Sequence, residues 1–181
     1  MVMNTKLPSV AESDSTTNSS SSSVNNIVFI GDSRTVGMQQ AVGGNDTWSG
    51  KVSAGLDWMK SSGVPNVENN IQNGSAVVIL MGVNDLYHPD SYISYINEKS
   101  ASWKSKGATT YFVSVNPTDG SYSNLNSDID TFNQKLRSGL TNAKYIDTNT
   151  YLKQNGYSTT DGLHYTSDTY RKIYNYIKSN L

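Results

Sequence analysis

The sequence predicts a three-layer α/β/α sandwich built on a five-stranded parallel sheet. Two observations carry that prediction. Short apolar runs are continuous, as strands covered on both faces require, and stretches of helical periodicity lie between them. Strand followed by helix, repeated about five times along one chain, folds as a parallel sheet with helices on both sides.

The strands follow in order. NIVFI at 26–30, AVVILM at 76–81 and TTYFVSV at 109–115 read as buried strands, and two weaker ones fit residues 51–54 and 144–147. A helical pattern starts directly after the first strand, through Thr35, Val36, Met38 and Ala41. A second helix over 90–106 follows Pro89, places Ile93, Ile96 and Trp103 on one face, carries Lys104 and Lys106 in its last turn and stops at Gly107. Ser127 is positioned to cap a third, with Ile129, Phe132, Leu136 and Leu140 at helical spacing. The last helix opens at Thr166 or Ser167 and buries Tyr170, Ile173, Tyr174, Ile177 and Leu181. Such stripes are core contacts.

Composition bounds the function. A chain of 181 residues has the size of one domain. With 14 Lys+Arg against 15 Asp+Glu the formal charge is -1, so no basic face points to nucleic acid. There is no Cys, which excludes disulfides, thiolate metal sites and a Cys nucleophile. The two His, His88 and His164, leave little room for a His-based metal centre, and no P-loop pattern is present, so neither a metal nor another cofactor is expected. No apolar run approaches the roughly 20 residues that span a bilayer. Residues 1–24, rich in Ser, Thr and Asn, read as a flexible tether before a domain at 25–181. Such a tether resembles the stalk left when a signal or anchor is removed, pointing to a secreted or cell-surface bacterial protein; a floppy terminus on a cytoplasmic protein is the other reading.

In parallel α/β sheets ligands gather beyond the carboxyl ends of the strands. The first strand runs into Gly31-Asp32-Ser33-Arg34, placing the Ser33 hydroxyl at a strand-to-helix turn near the positive end of a helix dipole. Alone, such a Ser is as readily a helix N-cap. The strand at 76–81 runs into Gly82-Val83-Asn84-Asp85, where an uncharged carboxamide is suited to donate to an oxyanion, or to form an Asx turn. Asp85 reads as a loop-organising acceptor. Near the end, Asp161-Gly162-Leu163-His164 precedes the last helix; three residues apart on a turn, the carboxylate accepts from one imidazole nitrogen and turns the other toward Ser33. His88, before Pro89, reads as a solvated loop residue.

With these blocks in this order, the chain resembles the SGNH, or GDSL-type, hydrolases over residues 26–181, essentially the whole expected domain. The resemblance implies their flavodoxin-like fold and a serine esterase activity. It implies Ser33 as nucleophile, Asp161 and His164 as the rest of a triad, and Asn84 with the Ser33 and Gly55 backbone N–H groups as the oxyanion hole. Gly43, Gly44 and Gly50 rival Gly55 for that place. Arg34 stands where many members have an apolar residue, and either binds an anionic substrate group or faces solvent. Trp48, Trp58 and Tyr87 either form a platform for a sugar or aryl group or pack helices on the sheet. Short connections leave no room for a large lid, so the expected substrate is a small acyl ester, chiefly acetyl, on carbohydrate or cell-wall glycan. An O-acyltransferase of the same fold and a noncatalytic carbohydrate-binding module are the alternatives.

Overall fold

A computed structural model describes residues 23–181; the tether expected over 1–24 lies, but for Ser23 and Val24, outside the described residues. Five strands, β1 (Asn26–Gly31), β2 (Thr47–Gly50), β3 (Ser75–Leu80), β4 (Thr109–Val113) and β5 (Ala143–Ile146), form one parallel sheet in the order β2-β1-β3-β4-β5. The helices are α1 (Ser33–Val42), the single turn α2 (Leu56–Trp58) running on through Met59–Gly63, α3 (Pro89–Ser105), α4 (Asn126–Gly139), α5 (Thr148–Asn155) and α6 (Ser167–Ser179).

Alternate residues of the strands feed two cores. Val28, Ile30, Val77, Ile79 and Phe112 face α3 and α4, meeting Tyr92, Ile96, Trp103, Ile129, Phe132 and Leu136. Ile27, Phe29, Val78, Tyr111 and Val113 face the other way, onto Met38, Leu152, Tyr170, Ile173 and Ile177 of α1, α5 and α6. Burial on both faces is what makes β1, β3 and β4 continuous apolar runs.

Several elements differ from the sequence expectation; α2 and its continuation to Gly63 were not expected, and three others depart as follows. The second strand is Thr47–Gly50, not 51–54: Trp48 stacks on Phe29 with ring centroids 4.2 Å apart, and Ser53, at φ 60, has left the extended region. At an edge, TWSG needs to cover only one neighbour, which hides it from a search for apolar runs. Helix α4 starts without a side-chain cap at Leu125, because the 3₁₀ turn Gly120–Leu125 leads straight into it, so Ser127 is not the cap. Helix α5 was not expected; its polar TNTYLKQN is started by Asp147, whose carboxylate accepts from the Thr150 N–H at 3.0 Å.

Two strands away from each other in chain order, β1 and β3 are neighbours in space, and the chain leaves them in opposite directions across the sheet: to β2 on one side, to β4 on the other. This is the topological switch point, where a crevice opens at the carboxyl edge. Gly31 sits at its floor. A Cβ there would lie 1.9 Å from Thr35 Oγ1 and 2.6 Å from the Leu80 carbonyl oxygen. Gly31→Ala is therefore expected to destabilise the protein by about 1–3 kcal/mol, despite the better strand propensity of Ala; a denaturation midpoint at or above wild type would contradict this close approach.

Candidate active site

Ser33 opens α1 just past β1, and the cap position before it belongs to Asp32, whose Oδ1 accepts from the Arg34 N–H at 3.0 Å. The Ser33 hydroxyl is thus not used as a helix cap. It lies 2.9 Å from His164 Nε2, and His164 Nδ1 lies 2.6 Å from Asp161 Oδ2. The three side chains form one line, with Ser33 and His164 half-buried and Asp161 exposed.

The loop that carries His164 is built by Asp161. Its Oδ1 accepts the backbone N–H groups of Leu163 at 2.9 Å and His164 at 2.7 Å, leaving Oδ2 for the imidazole. Gly162 takes φ 90, and a Cβ on it would come within 2.5 Å of the Asp119 carbonyl oxygen. Only glycine fits this turn. From below, the Asp119 N–H donates to the Gly162 carbonyl at 2.9 Å, and the Thr159 hydroxyl joins the Asp119 carboxylate at 2.6 Å. The His164 backbone N–H, its ring and the Leu163 N–H hold the Asp161 carboxyl down to about 2, so it is ionised beside the imidazole.

The second and third blocks knit together. Exposed Asn84 donates from Nδ2 to the Ala54 carbonyl at 2.9 Å, with its other amide hydrogen left for solvent or a ligand. Asp85 accepts from the Leu56 N–H at 2.8 Å through Oδ2 and from the Tyr92 hydroxyl through Oδ1, as a loop-organising acceptor does. Burial and that carboxylate push the Tyr92 hydroxyl far above its ordinary range. Gly55 stands at the N-cap position of α2 in extended backbone; a Cβ would meet Asp85 Oδ2 at 2.9 Å. Of its rivals, Gly43 and Gly44 lie past the far end of α1, about 15 Å along the helix axis from Ser33. Gly50 ends β2 against Val36.

The predicted substrate contacts divide. Arg34 is neither an anion site nor solvent-facing: it is 6% exposed, and its guanidinium donates to the carbonyls of Leu163, Asn116 and Pro117. Sequence carries no sign of those carbonyls, which come from distant loops. Trp48 is half-buried, stacks on Phe29 and packs beside Tyr174 against the α1–α6 core. Trp58, packed over Gly63, lines a groove of about 530 Å³ with Gly55, Asp85, exposed His88 and Ser91. Tyr87 is 80% exposed and donates to Asp128 at 3.0 Å. A second groove, about 420 Å³, starts at Ser33 and His164 and runs between α1 and α6 along Val36, Gln40 and Val52.

No protein-family model matches the sequence, and no curated relative matches it either. Solved structures do. A member of the lipolytic protein G-D-S-L family from Veillonella parvula aligns at TM-score 0.63 and 17% identity over 85% of this chain and 96% of that one. The fold is that of the SGNH hydrolases. Of the same SGNH architecture, a catalytic aspartate-to-alanine mutant of Axe2, an acetylxylan esterase from Geobacillus stearothermophilus, aligns at TM-score 0.64 and 16% identity over 87% and 94% of the two chains. The C-terminal catalytic domain of the Streptococcus pneumoniae peptidoglycan O-acetyltransferase A, bearing a methylsulfonyl adduct, aligns at TM-score 0.59 and 20% identity over 85% and 90%.

One group at this site was not anticipated as ionisable: Asp32, 3% exposed. Burial raises its carboxyl from 3.8 to about 6, against the opposing pull of Arg34. A carboxyl raised by folding stabilises the folded chain fully below the ordinary value and loses that contribution as pH rises through about 6. Asp32→Asn keeps an acceptor for the cap and cannot ionise. It is expected to match wild type in stability near pH 4 and to exceed it by on the order of 2 kcal/mol near pH 8. Melting curves across that range check this; a difference independent of pH contradicts it.

Proposed function

We propose that this chain is a serine esterase that hydrolyses small acyl esters, chiefly acetyl, on carbohydrate or cell-wall glycan outside the cell. The observation that carries the reading is the unbroken line from Asp161 through His164 to the Ser33 hydroxyl. His164 takes the Ser33 proton as Oγ bonds to the ester carbonyl carbon, and Asp161 stabilises the imidazolium. The oxyanion is received by the Ser33 and Gly55 backbone N–H groups and the Asn84 amide. The tetrahedral intermediate then breaks its bond to the leaving alcohol, which takes the proton from His164. Water, deprotonated by the same imidazole, releases the carboxylic acid from the acyl-serine.

The α1–α6 groove beside Ser33 suits a short acyl or sugar group, and the groove at Trp58 offers a half-buried indole face for a sugar ring. Two acetylxylan esterases and a peptidoglycan O-acetyltransferase among the structural neighbours are named for acetyl groups on glycans. Axe2 is also known as a catalytic serine-to-alanine mutant, so that enzyme's chemistry involves a serine and an aspartate. The acetyltransferase neighbour supports a second reading, in which a sugar hydroxyl replaces water in the last step. Acetate release measured against acetyl transfer to added glycan separates the two.

Ser33→Ala is expected to abolish both aryl-acetate hydrolysis and labelling by a serine-directed phosphonate; survival of either refutes the nucleophile. Removing one oxyanion donor costs about 3 kcal/mol of transition-state stabilisation, so Asn84→Ala is expected to lower kcat about a hundredfold. Turnover equal to wild type would take Asn84 out of the oxyanion hole.

A further inference from the structure

The Arg34 guanidinium grips both neighbours of His164. Its Nε donates to the Leu163 carbonyl at 2.9 Å, and its Cζ lies 5.0 Å from the centroid of the Tyr165 ring. The remaining nitrogens donate to the carbonyls of Asn116 at 2.8 Å and Pro117 at 3.3 Å, and the Tyr165 hydroxyl donates to the same Pro117 oxygen. One planar cation, on the residue directly after Ser33, therefore joins three segments: the start of α1, the loop after β4 and the His164 loop.

We propose that Arg34 is a positioning residue that sets the distance between His164 and Ser33. This rests on the reading of those two as base and nucleophile. The His164 loop is rigid within itself: Asp161 ties its backbone, the Thr160 N–H donates to the His164 carbonyl at 2.8 Å, and Asp119 anchors Gly162. None of those bonds reaches α1. Among the described residues, the hydrogen bond that ties the loop to α1 besides the Ser33–His164 contact itself is that from Arg34 to Leu163. A guanidinium presents donors in one plane at fixed angles, so it fixes the spacing of the carbonyls it holds as well as their attraction. An ammonium keeps the charge and loses the fork. A base displaced by about 1 Å from its nucleophile loses on the order of a hundredfold in rate.

Arg34→Lys and Arg34→Gln test this, with Ser33→Ala as reference. The His164 Nε2 resonance of wild type is expected to differ from that of Ser33→Ala, because the variant lacks the hydroxyl 2.9 Å from that nitrogen. In folded Arg34→Lys the expected Nε2 resonance moves to the Ser33→Ala position, while the Nδ1–H signal shared with Asp161 stays in place. In the same variant kcat and the rate of Ser33 phosphonylation fall together by about tenfold or more, and KM stays within about twofold. Arg34→Gln, which keeps a planar donor without the charge, falls between the two if geometry is what matters. An Nε2 resonance unchanged from wild type in both variants overturns the proposal, as does a loss of activity no greater than the loss of folded protein. An inactive, unlabelled wild type would instead sink the esterase reading, and the Nε2 comparison judges Arg34 in either case.

Discussion

The hydrogen bond between His164 and Ser33 joins residues 131 positions apart, and much of the architecture serves to make it. A contact so distant in sequence gains nothing until the whole sheet is in place. It requires β1 held between β2 and β3, α1 leaving its carboxyl end, and α6 returning beside α1 so that the loop before α6 reaches over the Ser33 turn. Gly37 permits that approach: a Cβ there would lie 2.6 Å from the Tyr170 ring of α6. Packed rings and a missing side chain bring the helices together; directed hydrogen bonds then align the hydroxyl and the imidazole.

The charges at this edge of the sheet divide by solvent. Asp161 is exposed, held ionised by local N–H groups, and able to stabilise a cation on His164 at little cost in desolvation. Asp32 and Arg34 are buried, and their desolvation has to be offset within the protein. Arg34 is offset by three carbonyls and an aromatic face. Asp32 is offset only in part, by one N–H and the nearby guanidinium, and its carboxyl remains easily neutralised. The edge keeps a permanent negative charge beside the His164 ring and a weak one at the start of α1. In the proposed mechanism such a division favours proton transfer from Ser33 to His164.

Sequence made the central elements legible and obscured the edges, for a physical reason. β1, β3 and β4 are buried on both faces, so their apolar runs are unbroken; β2 is an edge strand that shows a single aromatic in TWSG, and α5 is nearly all polar. The site divides in the same way. Asp161 and His164 are bound by a turn three residues wide, and Ser33 and Asn84 lie just past recognisable strands, so each was visible locally. Arg34 was not, because its partners, Leu163, Asn116 and Pro117, are carbonyls and every residue has one. The anchor from Asp119 to Thr159 and Gly162 was hidden likewise, since nothing local marks a loop as the floor of another. For Trp48 the sequence left a sugar platform and packing on the sheet both open; in space it stacks on Phe29 against the core.

As the proposed nucleophile, the Ser33 oxygen becomes covalently acylated during turnover. Wild-type protein mixed with an aryl acetate, quenched in acid on a millisecond scale and digested for mass spectrometry, measures this directly. An acetyl group is expected on the Ser33 side chain, appearing during turnover and disappearing once the ester is consumed. Turnover with the acetyl group on another side chain, or with none on Ser33 at any quench time, would contradict it.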